Sequence, residues 1–325
     1  MIDFRYHIVS IVAIFLALAI GIVLGSTVLN APLVASTEAV TAQLRARNTE
    51  LQGQINVSQA RDGAGDTFVA DRLPQLVQGA LTGEHVVIFE APGADSKLRD
   101  PMEHVLTAAG AVVSGRVALT EKYLTAEQAG LVDELATRAK PATLEFSLTA
   151  TPYDKAAAVL ANAVLTSDKA QAGKDNPTAS GVLDSFQRDG LVTLEGDPGK
   201  RATLALLMTP ATPYEGETAE AQNSALVSLA AGLDDGGTGT VVAGAVPPST
   251  TAGVIAAVRA DSDVAAKVST VDNPDMAFGQ AAVVYSLREQ AAGDAGQYGL
   301  GSDATATEPS PTASSTPTPE AGAGG

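Results

Sequence analysis

The chain has no cysteine, which excludes disulfides, thiolate metal sites and cysteine nucleophiles and leaves no pairing pattern from which a redox compartment can be read. Imidazole is scarce too: His7, His85 and His104 are the three histidines in 325 residues. Positive charge is in deficit, with 20 Lys and Arg against 37 Asp and Glu and a formal net charge of −17. Such an acid excess repels nucleic-acid phosphates and anionic lipid headgroups, so nucleic acid is excluded as a partner, and cations or basic proteins fit better. The excess is unevenly spread. Up to residue 60, Asp3, Glu38 and Glu50 balance Arg5, Arg45 and Arg47, and all the surplus acid lies beyond.

Motifs for catalysis are missing as well. No GxSxG occurs, so there is no nucleophile elbow. APGAD at 91–95 is not GxGxxG and reads as a plain strand-to-helix turn, with Asp95 or Ser96 able to cap the helix that follows. GDPGKR at 196–201 resembles the end of a phosphate loop, but Leu194 stands where glycine is needed and Arg201 where Ser or Thr is needed. It reads instead as a hairpin-type turn between two strands. Asp234 and Asp235 sit in a glycine-rich stretch and read as solvated charges in a turn. PMEHV at 101–105 sets Met102 two residues from His104. On a helix that spacing points the two to different faces, so they do not chelate a soft ion such as Cu(I) together. No catalytic residue, resident cofactor or metal ligand is expected, and the chain is not read as an enzyme.

What the sequence does hold is a long apolar run. From Ile8 to Leu29 there is no charge across 22 residues, enough helix at ~1.5 Å per residue to span a hydrocarbon layer of ~30 Å. A cleavable signal has small residues at −1 and −3 of the cut, but Ala31 is preceded at −3 by Leu29, and Ala35 by Leu33. A retained anchor is expected over residues 1–30, with the N-terminus inside and the bulk of the protein extracytoplasmic. Within the run, small residues recur every fourth position at Ala13, Ala17, Gly21 and Gly25. Two readings stand: an alanine-rich composition, or a small-xxx-small groove that pairs with another helix. In residues 31–60, Val40, Leu44, Leu51 and Ile55 fall at spacings of four, seven and four. This suits a juxtamembrane amphipathic helix packed on its own domain, or a short coiled coil. If the groove and this segment act together, they predict a homo-oligomer.

RDGAGD at 61–66 is expected to break the helix. Beyond it, strand candidates fall at 85–91, 111–119, 190–196, 202–209, 239–246 and 266–273. Expected helices cover 95–109, 126–139, 154–165, 181–189, 218–233, 251–260 and 275–292. Several strands lack polar alternation, as strands covered on both faces do. The fold class is therefore α/β: a transmembrane helix and short coiled coil, then a layered domain with a mainly parallel sheet over residues 61–301. Residues 120–190 are read as an insertion or cap. From Ser302 to Gly325 the Ser, Thr and Pro-rich chain reads as a disordered tail.

The opening MIDFRYHIVSIVAIFLALAIGIVLGS, the RNTEL of the polar helix, STVDNPD with FGQAAVVYSL, and QYGLG at 297–301 together resemble the family of the mycobacterial copper transport protein B, from residue 1 to about 301. The resemblance implies a single-pass envelope protein linked to copper homeostasis or efflux, with copper and the membrane as partners. Other relatives of the family imply an alternative: a non-catalytic scaffold that binds an envelope protein and controls cell-wall hydrolases at division. A single apolar helix is not a pore, which needs several helices or a closed barrel, so transport through this chain requires oligomeric assembly.

Overall fold

A computed structural model of the protein describes residues 4–28, 30–247 and 250–310. The chain forms two compact units, residues 1–65 and 66–325. In the first, helix α1 spans Phe4–Val28 and helix α2 starts at Asn30 and runs to Ala70. Arg5–Gly25 of α1 has a mean hydropathy of 3.0 and none of it is buried, so it is long and apolar enough to cross a membrane. RDGAGD does not end α2, contrary to expectation. Gly63 and Gly65 each cost roughly 1 kcal/mol of helix propensity, but without a proline nothing blocks the backbone hydrogen bonds.

The second unit holds a seven-stranded sheet. In chain order its elements are α3 (Leu73–Val77), β1 (His85–Glu90), α4 (Arg99–Ala108), β2 (Val112–Leu119), α5 (Glu121–Leu124), α6 (Ala129–Ala139), α7 (Pro152–Val164) and α8 (Ala179–Arg188). They continue with β3 (Val192–Gly196), β4 (Leu204–Met208), α9 (Ala219–Gly236), β5 (Gly239–Ala243), α10 (Val254–Ala260), α11 (Ser262–Ala265), β6 (Ser269–Val271), α12 (Ala277–Ala292) and β7 (Gln297–Tyr298). The strand order is β3-β2-β1-β4-β5-β6-β7, and every pairing is parallel except that of β2 with β3. The α/β class, the N-terminal apolar helix and the mainly parallel sheet stand as the sequence predicts.

The lack of alternation in the strands has a direct cause: both faces are covered. In β1, Val86 and Ile88 pack toward α3, α4 and α12, while Val87 and Phe89 pack toward α6, α7, α8 and α9. The two buried clusters form the two halves of an α/β/α sandwich. Residues 120–190 are not an insertion or cap. Val159, Leu160 and Val164 of α7 are fully buried, and α5–α8 belong to the helical layer itself.

Within that layer α7 and α9 cross at unusually close range. A Cβ at Gly232 would stand 2.6 Å from Ala157 Cβ, and one at Gly236 would stand 2.7 Å from Ala161 Cβ. Glycine is required at both positions because a methyl group would occupy the partner helix.

GDPGKR is not a hairpin turn either. β3 and β4 are separated in the sheet by β2 and β1. The loop between them ties instead to residues 174–176: Asn176 N donates to Gly199 O at 3.1 Å and Arg201 N to Lys174 O at 3.0 Å. At the far edge, β7 is a two-residue strand without a sequence expectation. After it the chain turns back, with Thr305 N donating to Gln297 O at 2.7 Å and Gly299 N to Ala306 O at 3.0 Å. The first nine residues of the expected tail, 302–310, thus belong to the described chain, and 311–325 lie outside the described residues.

Candidate functional site

Two surfaces of the first unit carry the sequence expectations. Ala13, Ala17 and Gly21 are exposed along α1, Gly25 is half-buried, and among the described residues nothing lies within 4 Å of a Cβ built at Gly21 or Gly25. On α2, Val40 (54%), Leu44 (62%), Leu51 (56%) and Ile55 (54%) are all more than half exposed. At 100° per residue they share about 60° of arc. Ala42, Ala46 and exposed Val57 lie off this arc, so the four residues form a narrow apolar stripe along the helix.

Copper as cargo would need thioether, imidazole or carboxylate donors brought together in the second unit. Met102 is fully buried in the core beneath α4, whereas His104 is exposed, so the pair points apart as the helical spacing requires. His85 opens β1 under Gly173, where a Cβ would stand 2.5 Å from its Cε1, and its Nδ1 is buried with no hydrogen-bond partner among the described residues. Among the described residues no three of His, Asp and Glu form a group that could hold a metal ion.

In an open parallel sheet, ligands favour the crevice where strand order reverses, here between the C-terminal ends of β1 and β4. That crevice is occupied by the protein itself. Tyr214 donates its hydroxyl to Pro92 O at 2.7 Å, and burial pushes that hydroxyl's pKa up. Asp95 caps the turn at Ser96–Leu98 by accepting from Lys97 N at 2.9 Å, so APGAD is the plain strand-to-helix turn its sequence suggested.

Beside it lies a charge cluster that sequence reasoning missed. Glu90, the last residue of β1, is buried and accepts from Arg99 Nε at 2.9 Å and Nη2 at 2.6 Å, and from Arg116 Nη1 at 3.3 Å. Arg116 also pairs with Glu195, and the hydrogen bond to Glu90 holds the Arg99 guanidinium above its ordinary pKa. Two arginines and two glutamates cancel, so the cluster is a charge-balanced network around buried Glu90, with Arg99 and Glu195 reaching solvent. The signal for it was present: a glutamate ending an otherwise apolar strand requires a cationic partner when buried. A second cluster fastens the chain after β7. Arg259 Nη1 lies 3.0 Å from Asp272 and 2.7 Å from Asp303, while Asp272 accepts from Leu300 N at 2.7 Å and Gly301 N at 3.0 Å.

Asp234 and Asp235 also differ from expectation. Both lie in the last turn of α9, not in a free turn. Asp235 is exposed and meets Lys267 Nζ at 2.6 Å. Asp234 is half-buried with Oδ1 unpartnered among the described residues, and burial pushes its pKa up to about 6, with Lys267 opposing and Asp235 adding to the shift.

Comparison with known proteins agrees with the resemblance in the sequence. A family model described as copper transport outer membrane protein, MctB, matches residues 1–309. Proteins named Copper transporter MctB from Mycobacterium tuberculosis (strain ATCC 25618 / H37Rv) and from Mycobacterium bovis are each 30% identical over 309 residues, covering 94% of this chain and 98% of theirs. The protein of that name from Mycobacterium leprae is 29% identical over 314 residues, with the same coverage.

Proposed function

Because this chain belongs to the MctB family of copper transport proteins, we propose that it is a single-pass envelope protein acting in copper homeostasis or efflux, and that it works as a homo-oligomer. Residues 1–30 anchor it with the N-terminus inside, residues 31–60 pair, and the α/β body is extracytoplasmic. The observation that carries the assembly is the exposed stripe of Val40, Leu44, Leu51 and Ile55. One apolar helix offers no polar path through lipid, so any passage of an ion requires several copies. Single-span copies of one topology present their α2 helices in parallel. With Leu44 and Leu51 at heptad position d, Thr41, Asn48 and Ile55 fall at a and Val40 at the flanking g, and a polar asparagine at a specifies register and oligomer state at a cost in stability. The small residues Ala13, Ala17, Gly21 and Gly25 supply a matching close approach between α1 helices.

Deletion of the gene is expected to raise cell-bound copper and copper sensitivity; unchanged copper content in the deletion strain overturns the copper reading. A second reading follows from the resemblance to other relatives of the family: the body binds an envelope protein and regulates cell-wall hydrolysis at division. Under it, pull-down through the full chain recovers a membrane or wall-hydrolase partner and deletion alters septation. Normal division with no recovered partner counts against it.

A further inference from the structure

The body contains a groove of about 750 Å³ over the seam of α7 and α9, walled on one side by Pro141–Leu144 and on the other by residues 165–178 and Arg201. Its volume falls within the range of small-molecule sites. No aromatic side chain lines it, and its polar groups include Asn162, Ser167, Ser228 and Asp235. These supply amide, hydroxyl and carboxylate functions without a surface on which a sugar or base could stack.

Arg201 sets the chemistry. The other half-buried arginines are satisfied: Arg99 and Arg116 pair with Glu90, Arg259 with Asp272, and Arg288 lies over the Tyr285 ring. Half-buried Arg201 has neither a carboxylate within ion-pair reach nor a ring among the described residues; its Nη1 donates to Gln171 Oε1 at 3.3 Å. Its backbone is fixed from both directions, Arg201 N donating to Lys174 O at 3.0 Å and Gly173 N donating to Arg201 O at 2.8 Å. A positioned, unpaired guanidinium in a chain of net charge −17 is a receptor for a carboxylate, which it can hold through two parallel hydrogen bonds.

A polyanion does not suit the groove, because Asp154 and Asp235 also line it. A ligand with a carboxylate at one end and an amine or amides elsewhere fits both signs. We propose that the groove binds a short peptide by its free C-terminal carboxylate, with Arg201 as the anchor and Asn162, Ser167 and Ser228 bonding its amides. This binding activity is separate from the copper reading and does not depend on it.

The test uses the full chain in lipid nanodiscs with Ala-Ala-Ala as probe, followed by saturation-transfer difference NMR. The free peptide gives transfer signals, and its C-terminal amide binds about tenfold more weakly or worse, as loss of a hydrogen bond to a charged group implies. Arg201→Gln produces the same loss, and an unchanged melting temperature shows that the variant is folded. Ser228→Phe puts a ring into the groove with Arg201 retained and, at an unchanged melting temperature, also abolishes the signal. Equal binding of acid and amide, binding that survives Arg201→Gln or Ser228→Phe, or no binding of the free peptide overturns the proposal.

Discussion

Two helices of this protein carry the same glycine spacing, and they stand in opposite situations. In α9, Gly232 and Gly236 lie against Ala157 and Ala161 of α7, at distances where a single methyl group does not fit. In α1, Gly21 and Gly25 have nothing within 4 Å of a Cβ among the described residues. The four-residue spacing of small side chains is a way for backbones to approach closely, whether the surroundings are a protein layer or lipid. Inside the body the sequence supplies the complementary helix, so the motif serves the fold. Around α1 no complementary surface lies within 4 Å of Gly21 or Gly25 among the described residues, and we propose a second copy as the partner of that motif.

The difference can be broken most forcefully at the partnered seam. Gly232→Leu combined with Gly236→Leu drives side chains into α7 and is expected to cost the body at least about 3 kcal/mol, read as a large fall in its melting temperature. A body of unchanged stability would mean that the close crossing is not required. The matching pair on the unpartnered helix, Gly21→Leu with Gly25→Leu, is expected to leave the melting temperature alone and weaken self-association in a membrane dimerisation assay by roughly tenfold. An undiminished signal would reduce the spacing to composition.

A smaller effect sharpens the contrast, because Asp234 lies on α9 between the two seam glycines. Burial holds its pKa up to about 6 against an ordinary 3.8. Between pH 3.8 and about 6 the folded body therefore retains a proton there that the unfolded chain releases. That contribution to stability is complete below pH 3.8 and is lost as pH rises through 6. Asp234→Asn should make the body more stable than the parent at pH 7 by on the order of 1 kcal/mol after solvent screening, with the gap closing in acid. Parallel stability curves for the two proteins across that interval would contradict the assignment.

The sheet was legible in the sequence because strands buried on both faces announce themselves as unbroken apolar runs. VVIF within β1 and LALLM of β4 are such runs, and both proved central. Two-residue β7 carries too little pattern to be seen, and the ordered turn after it depends on Asp272 and Arg259, which come from distant parts of the chain. The helix was expected to stop at RDGAGD because glycine marks turns, yet here it only lowers propensity. Charge clusters were the least visible feature. Glu90 and Arg116 are 26 residues apart and meet only because β1 and β2 are neighbours. Arg201 was weighed as a failed phosphate-loop residue, and what matters about it is that no carboxylate pairs with it among the described residues, which only the folded chain reveals. The Gly232–Gly236 spacing was readable by the rule applied to Gly21 and Gly25, but helix contacts reveal which of the two motifs is already filled.

The central claim is that the seam of α2 meets the same seam of a second copy. Because the natural chain has no cysteine, a single introduced thiol reports one contact without background. Leu51→Cys lies on the apolar stripe, and Gly53→Cys faces the opposite side of the helix. On mild oxidation in native membranes, Leu51→Cys should give a disulfide-linked dimer in high yield and Gly53→Cys little or none. Equal yields from the two positions, or no dimer from Leu51→Cys, would contradict the account.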